Sequence, residues 1–160
     1  MTVREATMAD APAIARVQVE SWHSAYRELM PARRLAAFTI PVRTVAWRHN
    51  LRERSGMRTT VFDDGRVRGF ASIGRSRDLP GWGEIWAIYV EPGAWGRGIG
   101  SALFADAMPA LAARGLDRVM LWVLEGNQRA LQFYQGNGFV LDGKRKVEDD
   151  LPQLRLVRAR

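Results

Sequence analysis

One hundred and sixty residues suffice for one domain and leave little for a second, and 47% hydrophobic with 26% charged residues is globular rather than disordered composition. The absence of cysteine excludes disulfides, thiolate metal sites and cysteine nucleophiles, while His23 and His49 are too few for a histidine-rich metal site. The net charge of +7 is carried almost wholly by arginine, since Lys144 and Lys146 are the only lysines, and a planar guanidinium suits phosphate and carboxylate partners.

Residues 3–6 read as a short strand. Thr7 and Asp10 then mark a helix N-terminus, with a helix expected over 8–29 that buries Ile14, Val17 and Trp22 or their neighbours. Pro31 ends it and opens a second helix through Leu35 to Phe38, and Pro41 opens a third to about Arg54 with Val45 and Leu51 inward. After Gly56 the period changes. Residues 59–62 and 67–73 form a hairpin around Asp64-Gly65, and 84–90 follow as a nearly continuous apolar, hence central, strand. Ile99, Leu103, Ala107 and Leu111 recur every four residues on a helix over 99–114, capped by Gly115 and interrupted by Pro109, which should bend it. A buried strand over 117–124, a short helix from Asn127 to about Asn137-Gly138, and a last hairpin pairing 139–141 with 154–157 complete the order. The expected fold is α/β, a mixed sheet with helices on both faces.

The most informative segment is the run from Val90 to Ser101, which joins the central strand to the first turn of a helix. Gly96, Gly98 and Gly100 stand at every second position, permit positive φ and let the backbone approach a ligand. Free amides at the helix start, with the positive end of the dipole behind them, make a pyrophosphate cradle, and Arg97 adds a charged contact. The Gly-Lys-Ser/Thr of a P-loop is absent, and G-x-G-x-G after a hairpin is not the dinucleotide-binding G-x-G-x-x-G of a βαβ unit.

Three segments together resemble the GNAT (Gcn5-related N-acetyltransferase) superfamily: the strand from Glu84 to Pro92, the glycine turn, and Asn127-Gln128-Arg129-Ala130-Leu131-Gln132-Phe133-Tyr134 with Gly138-Phe139. The turn matches the family's Arg/Gln-x-x-Gly-x-Gly/Ala except at its first position, where Trp95 stands. Ser21-Trp22 and Ala25-Tyr26 look like the family's helical entry. The resemblance covers the whole chain and is specific over 84–139. It implies the acyl-CoA N-acyltransferase fold, with about seven mostly antiparallel strands, and acetyl transfer from acetyl-CoA to an amine without a metal. It also implies a pantetheine paired with backbone of Ile88, Tyr89 and Val90, a pyrophosphate on the amides of Gly96, Arg97, Gly98, Ile99, Gly100 and Ser101, and a cofactor contact from Asn127. Asn127 is equally an ideal helix N-cap.

An alkyl amine, with a pKa of roughly 10, arrives protonated, so the reaction needs a base, and the departing thiolate benefits from an acid. Glu84 matches the catalytic glutamate of histone-acetylating members, while other members carry theirs on the next strand, where Trp122 stands here. Nominal alternation places Glu84, Trp86 and Ile88 on one strand face unless a bulge intervenes. Tyr134 matches the family's general acid, and a backbone N–H near Val90 its oxyanion donor. Trp22, Tyr26, Trp82 and Trp86 are candidates for the acceptor pocket, and Glu148, Asp149 and Asp150 in the last hairpin could attract a cation. Without a cysteine, direct attack in a ternary complex is expected.

The resemblance implies an acceptor that is a small-molecule amine or a protein amine. The alternative is a non-catalytic acyl-CoA-binding sensor on the same fold. Basic residues scattered without interleaved aromatics argue against nucleic acid. No apolar run approaches the roughly 18–20 residues of a membrane span, and the first five residues lack a signal-peptide pattern, so a cytoplasmic single domain over 1–160 is expected. Homodimers are common in the family, and nothing in this chain marks an interface.

Overall fold

The computed structural model describes residues 2–159. In chain order the elements are β1 (Thr2–Glu5), a 3-10 turn (Met8–Asp10), α1 (Ala11–Ala25), α2 (Ala32–Ala37), α3 (Ile40–Glu53), β2 (Arg58–Asp63), β3 (Val67–Arg75), β4 (Gly83–Val90), a second 3-10 turn (Pro92–Ala94), α4 (Ile99–Ala112), β5 (Val119–Leu124), α5 (Gln128–Gly136), β6 (Val140–Glu148) and β7 (Leu151–Arg158). The seven strands make one sheet in the order β1-β2-β3-β4-β5-β7-β6, antiparallel throughout except for the parallel pair β4–β5. Among the described residues no helix is long and apolar enough to cross a membrane.

Each face of the sheet is covered by the helices whose apolar stripes the sequence supplies. Ile14 and Val17 of α1 and Trp47 and Leu51 of α3 pack against Val61, Val67 and Phe70 on one face. On the other, the four-residue repeat of α4 packs with α5 against Ile73, Ile85, Leu121 and Leu156. Helix α4 continues through Pro109 to Ala112. Two expectations change. Helix α1 stops at Ala25, because Tyr26 leaves the helical conformation (φ −112°) and turns its ring into a buried cluster with Met30 and Leu35. In α3 the inward positions are Thr44, Trp47 and Leu51, spaced three and four apart, which leaves Val45 two-thirds exposed.

The last hairpin is longer than its apolar residues suggest. Strand β6 is an exposed edge, held by its pairing with β7 and by the Asp142–Arg155 ion pair at 2.7 Å. Its turn places Asp149 and Asp150 both at positive φ, the conformation of a tight two-residue hairpin.

The end of β4 is anchored by a buried carboxylate. Glu91, 4% exposed, accepts from Arg16 Nη1 at 2.7 Å, from Arg68 Nη1 at 2.9 Å and from Arg66. Arg16 also donates to the Val67 carbonyl at 2.7 Å, so α1, β3 and the end of β4 share one knot. Burial works to raise the Glu91 pKa, and the three guanidinium groups outweigh it and hold the carboxyl below its ordinary value of 4.5. A depressed carboxyl pKa contributes stability that is present above the unfolded value and lost as pH falls through the lower folded value. Stability is therefore expected to hold from pH 7 to 5 and to decline below about 4. Glu91→Ala leaves three arginines facing one another and should cost about 2–3 kcal/mol, a fall in melting temperature of roughly 5–10 °C at pH 7 that shrinks at pH 3. Thermal denaturation followed by circular dichroism at the two pH values measures both effects.

Candidate active site

Strands β4 and β5 pair at only two positions, Gly83 with Val119 and Glu84 with Met120, and then part. Each remains paired on its other side, β4 with β3 and β5 with β7, so the sheet opens as a V. Glu91 donates its N–H to the Arg68 carbonyl across β3. Strand alternation then turns the main-chain groups of Val90 and Ile88 the other way, into the gap. A cleft of 490 Å³ fills the opening, within the range of small-molecule sites.

At the wide end of the V lies the glycine turn. Gly96 (φ +77°) and Gly98 (φ +79°) are left-handed, and a Cβ at either would meet no atom within 4 Å. Gly98 is the N-cap of α4 and supplies no side-chain cap; the first backbone bond of the helix comes from Ala102 N–H to the Gly98 carbonyl. The amides of Ile99, Gly100 and Ser101 are thus first-turn donors without a helical acceptor, and all three residues line the cleft. Gly100 has a different reason to lack a side chain. A Cβ there would stand 3.3 Å from the Phe133 ring of α5, so the glycine lets α4 and α5 close on each other.

Trp95, the departure from the expected motif, ties the turn to the strand. Its Nε1 donates to the Val90 carbonyl at 2.8 Å, where Ser21 Oγ of α1 also donates at 2.9 Å. The Arg129 guanidinium of α5 stacks over the Trp95 ring at 4.1 Å, across the cleft mouth.

At the inner end three phenols meet. Tyr26 and Tyr89 hydroxyls lie 3.4 Å apart, and burial first, then mutual repulsion of phenolates, raises the pKa of Tyr26. Burial likewise raises Tyr89. Tyr134 on α5 is pushed well above the ordinary phenol range by burial and by Tyr89, and no side-chain hydrogen bond holds its hydroxyl. Its ring is fixed edge-on between Phe133 and Phe139, at 5.2 and 5.8 Å. Asn127 Oδ1 accepts the Ala130 N–H at 3.2 Å as the cap of α5 while the residue lines the cleft, so both of its expected positions coincide.

The cleft wall therefore gathers Ile88, Tyr89, Val90, Gly96, Gly98, Ile99, Gly100, Ser101, Asn127, Tyr134, Tyr26 and Trp86. It does not include Arg97, Trp22, Trp82 or Glu84, nor the hairpin acids Glu148, Asp149 and Asp150. Arg97 is exposed beside the turn. Trp22 stacks flat on Phe38 at 3.9 Å, and Trp82 lies under the Arg118 guanidinium at 5.0 Å. Glu84, 1% exposed, sits at the closed end of the V, where its oxygens accept from Arg77 Nη2 at 3.0 Å and from the Arg77 N–H at 3.2 Å. The alternation expected for β4 is also corrected. Ser72 pairs with Ala87 and Ile73 with Ile85, so Trp86 is an unpaired bulge residue. The extra residue puts Ile85 and Ile88 on the α4 side, with Ala87 and Tyr89 on the α1 side.

Wall residues that sequence reasoning did not select include Ser21, Ala25, Trp122, Arg129 and Phe133. Trp122 pairs its Nε1 with Asp78 at 2.8 Å and lies under Lys146 at 4.4 Å. Arg129 and Phe133 sit within the segment beginning at Asn127, and helical spacing from Asn127 was the signal available for them. Among the described residues no group of three or more histidine, aspartate or glutamate side chains could hold a metal ion.

The pattern of the Acetyltransferase (GNAT) family matches residues 19–139. An uncharacterised N-acetyltransferase of Bacillus subtilis, YuaI, is 34% identical over 84% of this chain and 78% of its own length. The mycothiol acetyltransferase of Beutenbergia cavernae is 44% identical over 49% of this chain and only 27% of its own length, so the matching half of the chain spans about a quarter of that relative. Among solved structures, PaiA N-acetyltransferase from Thermoplasma acidophilum in complex with coenzyme A superposes with a TM-score of 0.77 over 96% of each chain at 17% identity. Ribosomal-protein-alanine N-acetyltransferase from Brucella melitensis gives 0.77 over 99% of each at 24% identity. Both share the fold.

Proposed function

Because the chain belongs to the GNAT acetyltransferase family, we propose that it is a single acetyltransferase domain that moves an acetyl group from acetyl-CoA to a primary amine by direct attack in a ternary complex. The observation that carries this reading is the V between β4 and β5 ending on uncapped amides at the head of α4. The main-chain groups of Ile88 and the Val90 N–H, turned into the gap, suit an extended amide-bearing arm, and the amides of Ile99 to Ser101 suit a diphosphate. Gly96 and Gly98 leave the space beside those amides clear. The residues present fit acetyl-CoA, whose thioester would supply the acyl group and leave coenzyme A as the thiol.

Each chain residue then has a stated task. A main-chain N–H near Val90, turned into the gap without a β5 partner, donates to the carbonyl oxygen as negative charge develops there. Tyr134 keeps its proton at neutral pH because burial disfavours the phenolate, and it donates to the departing sulfur. Glu84 stands one residue outside the cleft wall and takes the amine's proton through water after Arg77 leaves it; the Arg77 side chain is 64% exposed, so the pair can open. The Arg77–Glu84 pair is also the one observation that favours the rival reading, an acyl-CoA-binding sensor without turnover.

Two measurements separate these. Coenzyme A at about 100 times its dissociation constant should stabilise the protein by about 2.7 kcal/mol, a visible rise in melting temperature. Thiol release from acetyl-CoA over a panel of amines should then exceed the amine-free rate. A thermal shift with no thiol release would leave the sensor, and no shift would remove both readings.

A further inference from the structure

Building on the acetyltransferase reading, we propose that Arg43 of α3 is the anchor for a carboxylate carried by the acceptor, so that the acceptor is an amino-acid-like small molecule. Arg43 Nε donates to Gln18 Oε1 at 3.1 Å, and the same oxygen accepts from Trp47 Nε1 at 2.8 Å. Gln18 is buried and neutral, so it fixes the guanidinium without neutralising it and leaves the two terminal nitrogens of the fork. The group packs over Phe38 at 5.3 Å, Phe38 stacks on Trp22, and Trp22 meets Tyr26 edge-on at 5.3 Å. The phenol of Tyr89, whose charge acts on the Arg43 guanidinium, lines the cleft with Tyr26.

Two features set this arginine apart. Burial pulls its pKa below the usual guanidinium value, and Tyr89 alone opposes that, with no carboxylate contributing. Arg4, Arg58 and Arg68, in contrast, are each raised by acidic partners. Even a half-buried cation without a counter-ion carries a desolvation cost, and an incoming anion relieves it. No aspartate or glutamate lines the wall, as a purely cationic acceptor would require. A planar fork recognises a carboxylate with two parallel bonds, which fixes the acceptor's orientation as well as its charge.

The test uses ω-amino acids of increasing length, each paired with the alkylamine lacking the carboxylate. At least one amino acid should exceed its alkylamine roughly tenfold in kcat/KM. Arg43→Gln should collapse that ratio mainly through KM, and Arg43→Lys should restore part of it because the charge returns without the fork. Equal preference in the native protein, a preference for the alkylamines, or a parallel loss for both members of a pair in Arg43→Gln would overturn the anchor. Calorimetry of the N-acetylated pairs on the coenzyme A-loaded protein judges the anchor without turnover. If no amine is acetylated yet the carboxylate product binds about tenfold tighter and loses this in Arg43→Gln, the anchor stands and catalysis falls. If the two products bind alike, the anchor falls whatever the turnover.

Discussion

Tyr134→Phe is expected to lower kcat by about two orders of magnitude while leaving the affinity for coenzyme A within about twofold. The asymmetry follows from where the hydroxyl lies. The ring is held by Phe133 and Phe139 and belongs to the core cluster under α4, and phenylalanine preserves those contacts. The hydroxyl has no side-chain hydrogen bond of its own, so its removal strands no partner and should hardly move the melting temperature. What is lost is a donor at the cleft wall, needed only when the thioester sulfur acquires charge. Because burial raises the Tyr134 pKa, the native enzyme should keep its rate at pH values where an ordinary phenol would begin to ionise, near 10. Steady-state kinetics of the variant and calorimetry with coenzyme A decide the matter. Proportionate losses in rate and affinity would mean that Tyr134 packs rather than donates. Glu84→Gln is the useful companion: a rate loss without a change in coenzyme A binding would support the relay through water, whereas a loss confined to stability would mark Glu84 as an anchor for Arg77.

How much of this was legible in the sequence depended on whether a signal was local. The glycine turn, the four-residue repeat of α4 and the Asn127 cap are local, and each appears in the structure where its residues place it. The mixed sheet also followed, because turns and apolar runs delimit its strands. What failed was set by distant partners. The bulge at Trp86 changes which side chains of β4 share a face, and only the register against Ser72 and Ile73 reveals it. Which arginine reaches Glu84 was not legible either, because the loop after β3 brings Arg77 onto it. Arg43 attracted no notice among so many arginines, since its distinction is the missing counter-ion, a property of the packing of α1 against α3. Strand β6 was underestimated because Asp142 to Lys146 carry no apolar alternation and rely on β7 for their pairing.

Gly98→Val should weaken coenzyme A binding by at least about 30-fold, or roughly 2 kcal/mol. Two effects contribute to the result. A β-branched residue at φ +79° is strained by about 1–2 kcal/mol or more, which the helix start can relieve only by rotating its amides away from the cleft. The new side chain would also project from the N-cap of α4, beside the amides proposed to hold the diphosphate. Gly115 provides the internal control. It too is left-handed, at φ +76°, with no atom within 4 Å of a Cβ, but it follows the C-terminal end of α4 and does not line the cleft. Gly115→Val should therefore cost similar stability and leave coenzyme A affinity unchanged. Calorimetry on both variants isolates the ligand term from the backbone strain they share. Equal affinity losses would mean that strain alone acts and that the turn holds no phosphate; a loss at Gly98 only would assign the diphosphate to the head of α4.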